Sequence, residues 1–414
     1  MKSRLVTPIA VLVFGLSLAA ASVPTGKPED VGLSTERLQR ATTTIRDHIA
    51  AGDVAGVVTL VARRGRIAHF DAQGSMNIEA KRPMTRDAIF RLASMSKPIA
   101  GVAVLMLVEE GKLRLRDPVS RFIPEFGTGK VALPRLAGRG AAAGQGPPAY
   151  DVVSAAREIT IFDLLTHTSG LVSGGPGAAA APQRAPTDTL ASYIPRLGAV
   201  PLDFQPGTLW RYSGSAGFDV LSRIVEIASG QPFDRFLRLR LFDPLGMKDT
   251  GFVATDAQSQ RLAVLYQRTA KGLLAAPREG STSYFSGAGG LMSTAEDYLQ
   301  FAQMMLNKGE LNGRRYLSPR TVDLMTSNHT GDMVNGQFGR PARGMGFGLS
   351  VQVVMDPVAA DLRVSRGSYG WAGGTGVSFW IEPEEQLVSI FMIQGSGGGV
   401  RQDFENAVRQ AIIQ

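Results

Sequence analysis

The run "PIAGVAVLMLV", residues 98 to 108, carries no charge and no strongly polar side chain on any face, and it constrains the fold more than any other stretch. A helix that is apolar all round belongs inside a core. The chain has 414 residues, 44% of them hydrophobic, which is enough to enclose such a helix in two lobes or one large domain. Pro98 sets where the helix begins. Proline lacks an amide proton and is tolerated in a first turn but not in a helix interior, so the start is expected at residues 94 to 96 and the end at Gly111.

Ser94 and Lys97 then stand at i and i+3 on one face, close enough to touch, at the positive end of the helix dipole. A serine there is placed for nucleophilic attack. A lysine entering an apolar helix gives up its proton more readily, and the neutral amine is a base. Ser-x-x-Lys by itself is a weak signal, because nine lysines yield on the order of half a match by chance. A helix-capping serine followed by a surface lysine leaves the same trace.

Two other stretches add weight. "FQPGTLWRYSGSAGFDVLSRIVE", residues 204 to 226, puts Tyr212 on a tight loop just before a helical pattern. Its phenol could pass a proton between serine, leaving group and water, or could be a core aromatic with a satisfied hydroxyl. In "SYGWAGGTGVSFW", residues 368 to 380, glycines enter a strand, which marks close approach by a ligand or another backbone. The amides of Ser94 and Gly374 could form an oxyanion pair there; the alternative is a glycine bulge with Trp371 filling the core.

Other chemistries fit less well. No Gly-x-Ser-x-Gly elbow and no GxxxxGK[ST] phosphate loop occurs, and His48, His69, His167 and His329 show no HExxH spacing. No cofactor or metal is expected. The absence of cysteine excludes a disulfide framework, an iron–sulfur cluster and a cysteine nucleophile. The net charge is +8, and loss of Lys2 and Arg4 with an N-terminal leader leaves +6. The basic residues are dispersed among acids, as in "RLRDPVSRFIPE", so no nucleic-acid track is expected.

"MKSRLVTPIAVLVFGLSLAAASVP" combines a basic start, an apolar stretch from Leu5 to Leu18 and Ala19-Ala20-Ala21, the pattern of an export signal over residues 1–21. The protein is therefore expected in the periplasm or outside the cell. Pro8 and the small-residue end argue against a membrane anchor. Further on, "AGVVTLVARRGRIAHFDAQG", residues 55 to 74, reads as a hairpin about Arg64-Gly65. Residues 127 to 150 and 174 to 186 are Gly, Ala and Pro rich and are expected as a loop or insertion and as a mobile flap. "GFGLSVQVVM", "GVSFWIEP" and "LVSIFMIQG" read as strands, and "VRQDFENAVRQAIIQ" as a closing helix. Strands at both ends with helices between imply one sheet assembled from the two termini.

With these elements in this order the chain resembles the serine β-lactamase and penicillin-binding-protein superfamily, and within it the family VIII carboxylesterases. The resemblance runs from residue 30 to 414, through "FRLASMSKP", "EITIFDLLTHTSGL", "PGTLWRYSGSAGFDVLSRIVE", "FDPLGMKDTGF", "GAGGLMSTAEDYLQFAQMM" and "YGWAGGTGVSFWIEP". It implies Ser94 as nucleophile, Lys97 as base and Tyr212 as catalytic tyrosine. True β-lactamases carry Tyr-x-Asn where this chain has Gly214, and Lys-Thr-Gly where it has Trp371-Ala372-Gly373. Those losses argue against a penicillin as main substrate. The esterases usually have Trp-Gly-Gly, so Ala372 is a departure that narrows the cleft, and His167 in "LLTHTSGL" is read as structural.

The resemblance implies a two-lobed α/β fold of the β-lactamase and transpeptidase type. An antiparallel sheet with flanking helices comes from residues 22–115 and 285–414, and a mostly helical lobe from 116–284. The site is expected between the lobes, with Trp371, Ala372, Gly373 and Gly374 binding substrate and oxyanion. The expected activity is hydrolysis of short-chain carboxylic esters through an acyl-enzyme, on a small-molecule ester and with no nucleic-acid partner. The alternatives are a β-lactamase or D-alanyl-D-alanine carboxypeptidase, an acyl transferase, or a non-catalytic cell-wall-binding homologue.

Overall fold

Residues 55 to 74 form the hairpin that their β-branched runs predict. β1, Gly56–Arg63, turns through Arg64 and Gly65, both at positive φ (49° and 71°), into β2, Arg66–Asn77. The computed structural model describes residues 22–134, 150–276, 281–334 and 343–414. The expected export signal lies outside them. Among the described residues no helix is long and apolar enough to cross a membrane.

The remaining strands of the main sheet are β3, Arg82–Pro83; β4, Met345–Phe347; β5, Gln352–Val354; β6, Tyr369–Ala372; β7, Ser378–Glu382; and β8, Leu387–Met392. Their order is β4-β5-β6-β7-β8-β1-β2-β3, antiparallel throughout. The C-terminal strand β8 thus lies against β1, with Leu60 opposite Ile390. One sheet is assembled from both ends of the chain.

β1 is buried along its whole length, because both faces are covered. Side chains alternate across a strand. Val57 and Val61 pack with Ile45 of the helix Thr35–Ala50 and Phe404 of the helix Val400–Gln410. Val58 and Leu60 face the larger core, which contains the apolar run. That run forms the helix Ser96–Glu109, buried from Ser96 to Leu107 and packed on the helix Ala216–Ser229. Gly101 makes this approach possible on another side, since any side chain there would strike Ser350.

The structure corrects one expectation and adds detail to two others. "GFGLSVQVVM" is not one strand but β4 and β5 folded back on each other, because Ser350, at φ 74°, is pressed onto Gly101 and the chain must turn there. The segment expected as a loop or insertion over 127 to 150 is bracketed by an antiparallel pair, Lys130–Pro134 with Tyr150–Ser154. Residues 135–149, which hold most of the Gly and Ala signal, lie outside the described residues. The expected flap at 174 to 186 is pinned at its start. The buried Asp203 carboxylate accepts the N–H groups of Ser173 and Gly177, each at 2.6 Å, and a short helix follows at Pro176–Ala180.

Candidate active site

The serine sits on a tight 3-10 turn, Ala93–Met95, that runs into the central helix. Ala93 has φ 44°, a conformation that is strained for a residue with a side chain. The turn is braced on both sides. The Tyr298 hydroxyl donates to the Met95 carbonyl at 3.0 Å, and the Leu291 N–H donates to Ser96 Oγ at 3.2 Å. Ser94 is therefore presented half-buried on a rigid support.

Lys97 is 0% exposed, yet among the described residues its hydrogen-bond partners are hydroxyl and carbonyl oxygens and no carboxylate. Its Nζ donates to the carbonyls of Gly214 at 2.7 Å and Ala288 at 2.8 Å, and stands 3.2 Å from Ser94 Oγ. The rings of Tyr212 and Phe218 close over it, with centroids at 5.0 and 5.6 Å. Burial brings the lysine down to about 7, opposed only by the charge of Asp219. Near neutrality a large fraction of the amine is therefore unprotonated.

Tyr212 donates its hydroxyl proton to Ser94 Oγ at 2.6 Å. Burial raises the phenol above its ordinary value, and the Ser94 hydrogen bond and the nearby Trp371 indole draw it back. The three groups read from sequence as nucleophile, base and tyrosine thus meet at one oxygen, although Tyr212 lies 118 residues from Ser94.

The glycine-rich strand arrives beside them. A side chain at Gly373 would strike the Leu92 carbonyl, and Thr375 Oγ1 donates to the Arg91 carbonyl at 2.7 Å. The turn that holds Gly374 is thereby clasped to the residues just before the serine. Trp371 leans on the tyrosine, with ring centroids 5.6 Å apart, and also meets Phe347. Ala372 is half-buried at the end of β6.

Reasoning from sequence missed Asp219. It lies on the helix Ala216–Ser229, fully inside the protein, and accepts from Ser286 Oγ at 2.6 Å, Tyr284 hydroxyl at 2.9 Å and Ala288 N–H at 3.3 Å. Burial raises its carboxyl above the ordinary value while these donors lower it. The same residue, Ala288, turns its carbonyl to Lys97, so Asp219 orders one of the two acceptors that aim the lysine. An aspartate inside the apolar pattern "GFDVL" was the available signal. Among the described residues no group of three or more His, Asp or Glu side chains is arranged to hold a metal ion.

Residues 41–412 match the family model described as Beta-lactamase. The chain is similar to protein Rv1367c of Mycobacterium tuberculosis (strain H37Rv), 38% identical over 367 residues that cover 84% of this chain and 88% of that protein. It is similar also to esterase EstB of Burkholderia gladioli, 33% identical over 390 residues covering 87% of this chain and 91% of the esterase. Among solved structures, EstCE1, a hydrolase with promiscuous acyltransferase activity, matches with a TM-score of 0.75 at 28% identity, over 90% of this chain and 99% of that one.

Proposed function

The chain belongs to the β-lactamase family, and from that premise we propose that it is a serine hydrolase cleaving short-chain carboxylic esters through an acyl-enzyme on Ser94. The observation that carries this reading is the double contact on Ser94 Oγ, from Lys97 at 3.2 Å and Tyr212 at 2.6 Å. In the neutral amine, the Gly214 and Ala288 carbonyls engage the two N–H groups, and the lone pair is left for the serine proton. Lys97 takes that proton as Oγ attacks the ester carbon. The oxyanion is held by the main-chain N–H groups of Ser94 and Gly374. Tyr212 gives its proton to the departing alkoxide and regains one from the Lys97 ammonium. Water then enters by the reverse path and releases the acid.

Esters are favoured over lactams by what flanks the serine. Open space stands beside Gly214, where the lactam-cleaving members carry an asparagine, and the end of β6 with the turn after it offers Trp371, Ala372 and Gly373 in place of a cation. Relatives named as an esterase and a hydrolase support the same side. The reaction so written uses no cofactor and takes place outside the cytoplasm, to which residues 1–21 direct the chain.

The test is intact mass after incubation with a serine-directed phosphonate, beside a Ser94→Ala control, with acetyl and butyryl esters and a chromogenic cephalosporin assayed in parallel. A single adduct that the control lacks, with esters turned over much faster than the cephalosporin, is expected. Faster cleavage of the cephalosporin would make the protein a β-lactamase; no adduct and no turnover would make it a binding protein.

A further inference from the structure

We propose that His167 is a positioning residue for Tyr212: it grips the main chain on both sides of the tyrosine and so holds the phenol on Ser94. The inference rests on the reading of Tyr212 as the group that moves the proton.

Tyr212 needs such a hold, because residues 203 to 215 form neither helix nor strand and no ladder of hydrogen bonds fixes them. The chain is tied instead to the turn at 167 and 168. The Arg211 N–H donates to the His167 carbonyl at 3.1 Å, and the Ser213 N–H donates to His167 Nδ1 at 3.2 Å. These two bonds bracket Tyr212, whose ring lies 4.6 Å from the imidazole, centroid to centroid. A third, from the Gly207 N–H to the Thr168 carbonyl at 2.8 Å, fixes the start of the loop.

The turn is itself anchored. Thr168 donates its N–H to the Asp163 carbonyl at 2.9 Å, and Arg157 forks the Asp163 carboxylate at 2.6 and 2.9 Å. Thr160 and Asp163 close a capping box at the head of the short helix Ile161–Leu165. The motif "TIFDLLTHTSGL" is thus a brace running from Arg157 to the tyrosine.

Packing does not account for the histidine. Its φ is 57°, a strained value for a residue other than glycine, and the ring is 1% exposed among Trp210, Phe218 and Phe347. Nε2 has no hydrogen-bond partner among the described residues, an unfavourable arrangement for a buried polar atom. A phenylalanine would fill the space without that penalty. What the imidazole supplies and a phenyl ring cannot is an acceptor at the δ position. Because Ser213 donates, Nδ1 carries no proton and the ring proton sits on Nε2.

The δ and ε positions can be separated by substitution. In His167→Asn the amide oxygen takes the place of Nδ1, and asparagine tolerates positive φ; in His167→Gln the oxygen takes the place of Nε2. His167→Asn should keep kcat on an acetyl ester within about threefold of the native enzyme. His167→Gln should lose about 10- to 100-fold in kcat with KM changed by about twofold or less, since a displacement near 1 Å of a reacting group has that effect. Equal kcat in the two variants, both folded by circular dichroism, overturns the inference. Nitrogen-15 spectra of the histidine-labelled native protein give an answer independent of any variant: an Nε2–H tautomer at His167 is expected, and an Nδ1–H tautomer overturns it. Tyr212→Phe is measured alongside. If that variant turns over normally, the role of Tyr212 fails and the positioning role with it; if it is impaired while Asn and Gln match, only the role of His167 fails.

Discussion

Two cationic side chains are buried on opposite sides of the same sheet, and their surroundings differ. Arg409, 6% exposed on the closing helix, lies 3.1 Å from the Glu382 carboxylate at the end of β7, near enough for an ion pair though poorly aligned for a hydrogen bond. Burial raises the Glu382 carboxyl, and the arginine charge pulls it back. Lys97 has carbonyl dipoles and aromatic faces around it and only the more remote charge of Asp219 in opposition. Guanidinium stays charged and is paired; the amine has no carboxylate in contact among the described residues, and burial lowers its pKa to about 7. A buried cation with its counter-ion is architecture, whereas one held by dipoles alone is poised for proton transfer.

The largest expected effect comes from removing the amine. Lys97→Met should lower turnover of an acetyl ester by about 1,000-fold or more, with the melting temperature unchanged or raised, because an apolar side chain of similar length suits the cavity. Persistent turnover with a large loss of stability would erase the contrast with Arg409. Glu382→Gln should do the reverse. It leaves a buried guanidinium without its counter-charge and should lower unfolding free energy by about 3–5 kcal/mol in urea titrations, while kcat/KM of the folded protein holds within about twofold.

The pH dependence sharpens the contrast. With Lys97 at about 7, kcat/KM should rise with pH through that value as the ammonium loses its proton. Asp219 favours the ammonium, so Asp219→Asn should move the acid limb of the profile to lower pH. A shift to higher pH would contradict the assignment of Lys97 as base. The smallest effect is expected at His48, half-buried between Asp53 at 2.7 Å and Asp403 at 3.0 Å, where the Asp53 hydrogen bond raises its pKa above 6.5. A raised pKa contributes stability that is fully present below 6.5 and lost as pH climbs through the folded-state value. His48→Ala should therefore lower the melting temperature slightly at about pH 6 and less at about pH 9, and an equal loss at both would show packing instead of charge.

Part of this molecule is legible in its amino-acid sequence. The apolar run from Pro98 predicts the central buried helix, because a helix without a polar face and too short to span a membrane is left only a core to enter. The hairpin at Arg64-Gly65 and the pairing of the two chain ends follow from strand patterns. Ser94 and Lys97 are readable because their spacing is local. Tyr212 and the glycine-rich strand are readable as separate stretches, and the order in which they occur joins them to the serine. Less is legible where composition is averaged over a long segment, as at 127 to 150, or where a turn is imposed by a neighbour, as at Ser350 against Gly101.

What the sequence determined by itself, then, is which side chains are present, which short spacings bring them together and where an all-apolar helix must lie. The state of Lys97 was decided only in three dimensions. Its acceptors, the carbonyls of Gly214 and Ala288, stand 117 and 191 residues away. The grip of His167 on Tyr212 runs through the N–H groups of Arg211 and Ser213 in the same manner. Every residue carries such a carbonyl, and every residue but proline such an N–H, so no letter of the sequence marks the one that folding will bring within 3 Å of a buried amine.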